Sequence, residues 1–266
     1  RGIHQYITKM ENNSKHIVDF DFSLIADFFS RLNRQGPGSV DVTRKALSFI
    51  ENIADVKQMA DLGCGTGTQT FTLADETDAH ITGIDLIPEM IDVMNGRMKR
   101  RRLENRISTI VGSMGELQFE ENSLDLVWAE GSIYNIGYNY GLQYWHKFLK
   151  KSGYIAVSEA SWFTDERPAE IQEFWNVNYP EIDTIPVKIS QMQQAGYIPV
   201  ASFILPEYCW LDEFYAPMPA VSEEFLIRHA GNRIAEEFIE MNNHEVELYK
   251  RYKEYYGYVF YIGKKI

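Results

Sequence analysis

Three glycines stand at alternate positions directly after a short apolar run that ends in an acid, in the sequence ADLGCGTGTQT at positions 60–70. Glycine permits main-chain conformations closed to other residues and lets another group lie against the backbone. A turn from a strand into a helix also presents free backbone N–H groups and the positive end of the helix dipole, which attract a negatively charged ligand group. Gly63, Gly65 and Gly67 therefore predict a site for a flat or extended ligand, with a tight, ligand-free turn as the alternative.

Other side chains capable of chemistry follow the ends of predicted strands. Asp61, Asp85, Ser113 and Glu130 each stand at or just beyond the last residue of a strand-like run. Ligands of parallel sheets bind at the carboxyl ends of the strands, near the point where the strand order reverses. One edge of a sheet is therefore predicted to collect these residues.

The spacing of the glycines separates two kinds of glycine-rich turn. Dinucleotide-dependent oxidoreductases carry G-x-G-x-x-G, with an acid at the end of the second strand. Here the spacing is G-x-G-x-G, and Asp61 precedes the first glycine by two residues. DLGCGTG (61–67) resembles the first motif of class I S-adenosylmethionine-dependent methyltransferases, and GIDLIPEMI (83–91) resembles the second motif of that family.

The resemblance extends along much of the chain, over about residues 35–159 and the tail. SLDLVWAEGSIYNIG (123–137) is similar to the fourth-strand region of the family. LKKSGYIAVSE (149–159) is similar to the helix, turn and fifth strand of its small-molecule members, and YGYVFYIGKK (256–265) to its antiparallel last strand. The resemblance implies the fold and the cofactor, S-adenosylmethionine, whereas the glycine spacing alone indicates only a nucleotide-type site.

The resemblance also implies roles for individual residues. Asp61 would help fix the methionine amino group of the cofactor, and the backbone of residues 63–67 would contact its methionine part. Asp85 would accept hydrogen bonds from both ribose hydroxyls, and Leu86 would lie against the adenine. The expected cofactor-binding residues are Gln35, Asp61, Gly63, Cys64, Gly65, Thr66, Gly67, Asp85, Leu86, Ser113, Met114 and Glu130.

Two further segments bear on cofactor binding. Many relatives carry an acid that accepts a bond from the adenine amino group where this chain has Ser113, so adenine recognition is expected to depend more on the Met114 backbone. RQGPGS (34–39) resembles a segment that closes over the methionine end of the cofactor in some relatives. Gln35 and Ser39 would offer polar contacts there, and a plain interhelix turn is the alternative.

Methyl transfer from a sulfonium needs few catalytic side chains, because one in-line displacement requires mainly alignment and the exclusion of water. Glu130 and Tyr134 are the expected catalytic residues. Glu130 could orient or deprotonate the acceptor, bond the cofactor amino group or cap a helix. The residues that could line the acceptor site, or pack in the core instead, are Tyr134, Asn135, Tyr138 and Tyr140.

The elements that must position these residues alternate between strand and helix length, which implies parallel pairing with right-handed crossovers. We predict an α/β fold with a doubly wound, Rossmann-like, seven-stranded and mostly parallel sheet, an antiparallel last strand, N-terminal helices and a helical, aromatic cap. The predicted strands are 58–62, 80–85, 107–111, 124–129, 153–158, 197–205 and 255–265. The predicted helices are 16–34, 40–52, 68–76, 88–102, 142–150, 184–195 and 222–252.

The domain organisation predicted from these elements is a single catalytic domain in three parts. Residues 1–54 form helices over the cofactor site, 55–160 form the S-adenosylmethionine-binding core, and 161–266 complete the sheet with a cap insertion and a long C-terminal helix. Aromatic residues of the cap could exclude water from the site, or they could only pack against one another and stabilise the cap. They are Trp162, Phe163, Trp175, Tyr208, Trp210, Phe214 and Tyr215.

The amino-acid composition limits the classes of partner that the protein could bind. Lys and Arg total 26 against 38 Asp and Glu, and the formal net charge of −12 repels nucleic acid and anionic membranes. AEGSIYN (129–135) also lacks the Asn-Pro-Pro-Tyr type motif of relatives that methylate planar amides, which favours a small acceptor. Two cysteines and six scattered histidines argue against a disulfide framework or a metal site. We expect a soluble cytoplasmic protein, because neither a membrane span nor a signal peptide is evident, and a monomer or homodimer.

The sequence therefore predicts an S-adenosylmethionine-dependent methyltransferase that modifies an N, O or C atom of a small molecule and releases S-adenosylhomocysteine. Two alternatives remain at this point. An NAD-dependent oxidoreductase would need the other glycine spacing, and a non-catalytic protein would bind the cofactor without turnover.

Overall fold

The computed structural model describes residues 22–266, so part of the helix predicted over 16–34 lies outside the described residues. The helices are α1 Ser23–Phe29, α2 Val40–Leu47, α3 Thr68–Glu76, α4 Pro88–Arg101, α5 Tyr138–His146, α6 Ala169–Asn178, α7 Ile185–Gln194, α8 Tyr208–Trp210, α9 Met218–Arg228 and α10 Arg233–Tyr252. The strands are β1 Gln58–Leu62, β2 His80–Asp85, β3 Ile107–Val111, β4 Leu124–Glu130, β5 Leu149–Trp162, β6 Asp183–Thr184, β7 Tyr197–Ile204 and β8 Tyr256–Lys265.

Within residues 22–266 the strands form one sheet in the order β3-β2-β1-β4-β5-β8-β7, and the two-residue β6 pairs with β5. Strands β1 to β5 are parallel, while β8 runs antiparallel to both β5 and β7. This arrangement confirms the predicted fold class, and β6 adds a short strand to the seven that were expected. The strand order reverses between β1 and β4, so a crevice is expected at the carboxyl ends of these two strands.

The sheet is buried on both faces, as a parallel sheet flanked by helices must be. Successive residues of β4 show this clearly. Val127 and Ala129 belong to the apolar cluster that contains Leu142 and Trp145 of α5. Trp128 points the other way, where its ring centroid lies 5.6 Å from that of Phe260. The last residues of β4 are therefore held firmly from both sides.

The helix predicted over 222–252 is two helices, and the prediction of one continuous helix was wrong. Helix α9 ends at Arg228, and the turn after it contains Gly231, whose φ of +78° glycine tolerates. Asn232 then begins α10, because its side chain accepts hydrogen bonds from the backbone N–H groups of Ile234 (3.0 Å) and Ala235 (3.4 Å).

Other boundaries also differ from the predictions. Helix α1 ends at Phe29 rather than at position 34. Helix α2 ends at Leu47 rather than at position 52, because residues 48–52 form turns in which Asn52 is left-handed, with a φ of +53°, before the short 3₁₀ helix Ile53–Asp55. Helix α5 starts earlier than predicted, at Tyr138, and ends at His146. Strand β5 runs from Leu149 to Trp162, beyond the predicted 153–158, because nine consecutive residues pair with β8. Edge-to-edge pairing with a distant strand leaves no local signal in the sequence.

The aromatic cap is largely a packing layer between α10 and β8. The Trp210 ring stacks on the Tyr249 ring at 4.3 Å between centroids and 12° between planes. The Tyr258 ring of β8 lies 5.0 Å from the same indole. These contacts favour the interpretation that the aromatic residues hold the cap together.

Candidate active site

The glycine turn between β1 and α3 is crowded by side chains of the protein itself. All three glycines have positive φ, from +55° to +88°. A Cβ atom at Gly63 would lie 2.4 Å from the Cβ of Ser132, and one at Gly65 would lie 2.2 Å from Oε1 of Gln35. Glycine is therefore required by the backbone conformation and by the close approach of two other segments, before any ligand is considered.

The backbone N–H groups of residues 63–67 are already paired inside the protein. Those of Gly63 and Cys64 donate to the Ile84 carbonyl, at 2.8 and 3.0 Å. Gly65 donates to Oδ2 of Asp85 (2.9 Å), Thr66 to Oε1 of Gln35 (3.0 Å) and Gly67 to the Cys64 carbonyl (3.0 Å). The expectation of free N–H groups at this turn is therefore wrong, because β2 and the segment before α2 fold onto it. A pyrophosphate cradle needs such N–H groups to be free.

Residues 33–38, which we call the strap, are fastened across the turn. Gln35 donates through Nε2 to Oγ1 of Thr66 (3.2 Å) and to two carbonyl groups at the end of α1 and just beyond it. Arg97 of α4 donates to the carbonyl and Oγ1 of Thr66 and to Oγ1 of Thr68, each at 3.0 Å, and to Oδ1 of Asn33. One arginine therefore ties the strap to the glycine turn.

A cavity of about 630 Å³ lies at the carboxyl ends of β1 to β4, between the sheet edge and the strap. Ten of the predicted site residues line it: Gln35, Gly63, Cys64, Gly65, Asp85, Leu86, Ser113, Met114, Glu130 and Tyr134. Asp61, Thr66 and Gly67 are buried behind the cavity wall that the structure describes. The structure thus brings most of the predicted residues together around one space.

Asp61 lies beneath the glycine turn and braces it. Its carboxylate accepts a hydrogen bond from the Thr70 hydroxyl at 2.6 Å and from the Gln69 amide at 3.4 Å. Burial raises the pKa of Asp61 to about 7, although these two hydrogen bonds act in the opposite direction. Asp61 therefore links β1 to the first turns of α3.

Asp85, the last residue of β2, forms one side of the cavity. Its Oδ2 accepts from the Gly65 N–H at 2.9 Å and its Oδ1 from the Ile87 N–H at 3.0 Å. Each oxygen keeps capacity for one further hydrogen bond, so the carboxylate can accept from a pair of neighbouring hydroxyls. Burial raises the pKa of Asp85, partly offset by these backbone N–H groups. Leu86 beside it is 63% exposed on the cavity wall.

Glu130, the last residue of β4, is held by donors from three elements. Its Oε1 accepts from the Thr43 hydroxyl (2.5 Å) and from the Trp128 indole N–H (3.0 Å). Its Oε2 accepts from Nη1 of Arg34 at 3.3 Å, and the two side chains of this ion pair are only 4% and 5% exposed. The carboxylate is therefore fixed in position by its neighbours.

The tyrosines after β4 divide between the cavity and the core. Tyr134 and Asn135 line the cavity. Tyr138 is fully buried and donates to the Lys188 carbonyl at 3.1 Å, and Tyr140 points to solvent. Of the lining residues that the structure describes, none is one of the seven cap aromatics.

Sequence reasoning missed three residues that shape this site. Ser132 packs on Gly63 and donates to the Leu62 carbonyl at 2.6 Å. Arg34 and Thr43 hold Glu130 from the strap and from α2. Arg34 and Ser132 lie within stretches already noted for other residues, but nothing local indicates their partners, which are far away in the sequence.

Residues 22–266 provide neither a metal-ligand cluster nor a membrane-crossing helix. This part of the chain contains no group of three or more His, Cys, Asp or Glu side chains placed to hold a metal ion. None of its helices is both long and apolar enough to cross a bilayer. Both cysteines are buried free thiols, and burial raises the pKa of each.

Comparison with known proteins agrees with the motifs. Residues 53–199, more than half of the chain, match the family model described as "Methyltransferase domain". Phosphoethanolamine N-methyltransferase 1 of Arabidopsis thaliana is 23% identical over 203 residues, which cover 75% of this chain and 39% of that protein. The ubiquinone/menaquinone biosynthesis C-methyltransferase of Geobacter sp. (strain M21) is 32% identical over 107 residues, or 39% of this chain and 46% of that protein. The chain thus spans less than half the length of these two curated relatives.

A solved structure shows the same fold over nearly the whole chain. The S-adenosylmethionine-dependent methyltransferase of Geobacter sulfurreducens, crystallised with S-adenosylhomocysteine, superposes with a TM-score of 0.79 at 16% identity, covering 92% of this chain and 98% of that one. The family expected from the sequence motifs is therefore confirmed, and the chain belongs to the methyltransferase-domain family.

Proposed function

We propose that this chain transfers the methyl group of S-adenosylmethionine to an N, O or C atom of a small molecule. The observation that carries the proposal is the order of groups along the sheet edge. Ser113 and Met114 follow β3, Asp85 ends β2, the glycine turn follows β1, and Glu130 ends β4. The strands are adjacent in that same order. An extended ligand made of a base, a ribose and an amino-acid tail matches this sequence of groups.

The residues present fit this cofactor. We assign the ribose hydroxyls to Asp85, whose two oxygens each keep one free acceptor position. Leu86 and Met114 supply apolar surface for the adenine. The Oγ of Ser113 accepts from the Gly115 N–H at 3.1 Å, so its hydroxyl hydrogen is left for an acceptor on the ligand. A cavity of about 630 Å³ is in the usual range for small-molecule sites.

S-adenosylmethionine, when bound, supplies a methyl group activated by its positive sulfur. The chain supplies alignment and a dry site: Phe29 is buried at the cavity wall, and the strap covers the glycine turn. Both oxygens of Glu130 accept hydrogen bonds inside the protein, so we assign Glu130 to binding rather than to proton abstraction. Tyr134 lines the cavity on the same side and is assigned to positioning the acceptor.

A small acceptor is supported by the charge of −12 and by the names of the relatives, which include phosphoethanolamine and quinone-pathway methyltransferases. The cytoplasmic location and the monomeric or homodimeric state stay predictions. The paired N–H groups of the glycine turn count against the dinucleotide alternative.

Titration calorimetry tests the cofactor. We expect S-adenosylhomocysteine to bind the wild type and NADH not to bind. Asp85→Ala should weaken binding by about 1–3 kcal/mol, because ribose hydroxyls would lose their acceptor. Asp92→Ala, an exposed acid on α4, is the matched control and should bind like the wild type. Binding of NADH without S-adenosylhomocysteine would overturn the proposal.

Turnover is tested with methyl-labelled S-adenosylmethionine and a metabolite extract. Label should appear in a small-molecule fraction and not in protein or nucleic acid. Binding without transfer to any fraction would instead identify a non-catalytic binding protein. Glu130→Gln should weaken binding while keeping kcat at saturating cofactor near that of the wild type, and a large loss of kcat would assign Glu130 as the base after all.

A further inference from the structure

The wall of the cavity near the ends of β4 and β5 is the side that remains for an acceptor. In the proposed function the cofactor takes the ends of β3, β2 and β1, so the acceptor must lie beyond them, toward β4 and β5. Gly131 follows β4, and its N–H donates to the Ser158 hydroxyl of β5 at 2.8 Å. Gly131 and Tyr134 both line the cavity. An acceptor therefore faces the segment that joins these two strand ends.

Two phenol rings and a buried carboxylate form this wall in layers. The ring centroid of Tyr134 lies 6.0 Å from that of Tyr179, with 70° between the planes. The Tyr179 hydroxyl donates to Oε2 of Glu159, on β5, at 3.1 Å. Tyr179 and Glu159 are 5% and 2% exposed, and both stand behind Tyr134 rather than at the cavity surface. The wall is therefore aromatic at its surface and carries a carboxylate beneath.

The electrostatic character of this wall favours cations. Burial raises the pKa of Tyr179, and the negative charge of Glu159 raises it further, so the phenol stays neutral. A neutral phenol ring attracts a positive charge to its face. A buried carboxylate acts over a longer distance than an exposed one, because little water screens it. An anionic acceptor would be repelled from the same place.

Lys188 shows that an ammonium group is accommodated in this cluster. Lys188 is fully buried, and its Nζ donates to the Glu181 carbonyl at 2.6 Å. The same Nζ lies 4.4 Å from the ring centroid of Tyr138 and 5.6 Å from that of Tyr179. Burial lowers the pKa of Lys188, whereas the charge of Glu159 favours its charged form. Phenol rings and Glu159 thus already stabilise one buried cation.

We infer that the methyl acceptor is an amine that arrives as an ammonium ion and lies against Tyr134. Tyr179 and Glu159 are positioning residues: they hold the Tyr134 ring and supply negative charge behind it. The ammonium gives one proton to water, and the nitrogen lone pair then forms the bond to the methyl carbon. The electron pair of the broken carbon–sulfur bond stays on sulfur, and the product is again an ammonium ion. The inference rests on the proposed function.

Binding to the complex with S-adenosylhomocysteine tests the charge of the acceptor. The probes are choline and its neutral carbon analogue, in which a tert-butyl group replaces the trimethylammonium group. The two have the same shape, and only choline is charged. Calorimetry should show that choline binds at least about tenfold more tightly than the neutral analogue. Equal affinities, or no choline binding by a complex that has formed, overturn the inference.

Variants locate the effect of charge. Glu159→Gln can still accept the bond from Tyr179, so it should weaken choline about tenfold, reduce the preference over the neutral analogue and leave S-adenosylhomocysteine affinity unchanged. Tyr134→Leu removes the ring face and should weaken choline to a similar extent, whereas Tyr134→Phe keeps the ring and should not. Glu166→Gln, which neutralises an exposed acid after β5, is the matched control and should bind like the wild type.

A purely structural role of Glu159 gives a different pattern. If Glu159 only balances Lys188, Glu159→Gln lowers the thermal midpoint but keeps the preference for choline, and that result overturns the inference. Should this variant fail to fold, the comparison of Tyr134→Leu with Tyr134→Phe decides by the same preference.

Turnover gives a second test. Methyl-labelled S-adenosylmethionine is incubated with a metabolite extract before and after the extract is passed over a cation-exchange resin at neutral pH. Removal of the cations should abolish most of the labelled product, and labelling that is unaffected overturns the inference. A wild type that binds no S-adenosylhomocysteine would instead refute the proposed function. Binding without labelled product from either extract would identify a non-catalytic protein and overturn both.

Discussion

Gln35 occupies the space beside Gly65 that the sequence pattern assigned to a ligand. Its Oε1 would lie 2.2 Å from a Cβ at that position and accepts the Thr66 N–H. The glycine is needed mainly because a side chain of the strap packs against the turn. A glycine-rich motif can therefore record contacts between parts of the protein as well as contacts with a cofactor.

The stability of the folded protein should depend on pH through Asp61. Its pKa in the folded state is about 7, against an ordinary value near 3.9. Well below the ordinary pKa the carboxyl is protonated in both states, and as the pH rises from about 4 to 7 the unfolded state ionises more fully than the folded state. The wild type should therefore lose stability over this range relative to Asp61→Asn, by on the order of 2–4 kcal/mol.

Urea unfolding of both proteins at pH 4.5, 5.5 and 7 measures this difference without a ligand. The amide oxygen can still accept from the Thr70 hydroxyl, whereas the longer hydrogen bond from Gln69 is lost at every pH, so only the change of the difference with pH reports ionisation. A gap between the two unfolding free energies that stays constant with pH would show that Asp61 ionises normally in the folded protein.

The attachment of the strap to the glycine turn depends on Arg97 of α4. Its guanidinium donates to Asn33, Thr66 and Thr68, and burial lowers its pKa. Arg97→Gln should loosen residues 33–38, seen as faster amide hydrogen exchange there, and should speed dissociation of S-adenosylhomocysteine several-fold. Arg100→Gln, one turn along α4, is the control. Unchanged exchange in the strap would mean that Gln35 alone fastens it.

The start of α10 depends on one side chain. Asn232 accepts from two N–H groups of the first turn, so Asn232→Ala should lower the free energy of unfolding by about 1 kcal/mol. Asn243→Ala replaces an exposed asparagine inside the same helix and should leave stability unchanged or slightly raise it. Thermal and urea unfolding check both variants. Equal effects would show that the cap contributes nothing specific.

For the whole molecule, the aromatic layer joins the C-terminal helices to the sheet. Trp210 is fully buried and stacks on Tyr249 of α10. Trp210→Ala should cost about 3–5 kcal/mol of unfolding free energy, and Trp210→Phe clearly less, because a ring still fills most of the space. Val177→Ala shortens an exposed apolar side chain and should have almost no effect. A small loss for Trp210→Ala would mean that the layer repacks around the gap.

Sequence patterns alone predicted the alternation of strands and helices, the sheet edge that carries the site and the family to which the chain belongs. These features are local, since a strand end, a glycine turn and an acid two residues before it are all visible within a few positions. The length of β5 was not visible in this way, because it depends on pairing with β8. The break between α9 and α10 does have a local signal, Gly231 followed by the capping residue Asn232, which the prediction of one continuous helix overlooked.

Which groups meet at the cavity depends on the fold. Arg34 and Glu130 are 96 positions apart, and their contact exists only because the strap crosses the end of β4. Hydrogen bonding also determines which groups remain available. The N–H groups of the glycine turn are paired with β2, with the strap and, for Gly67, with the Cys64 carbonyl of the turn itself, while one nitrogen of Arg34 has no hydrogen-bond partner among residues 22–266. Hydrogen-bond partners depend on distances in space, so a linear pattern of residue types could not reveal them.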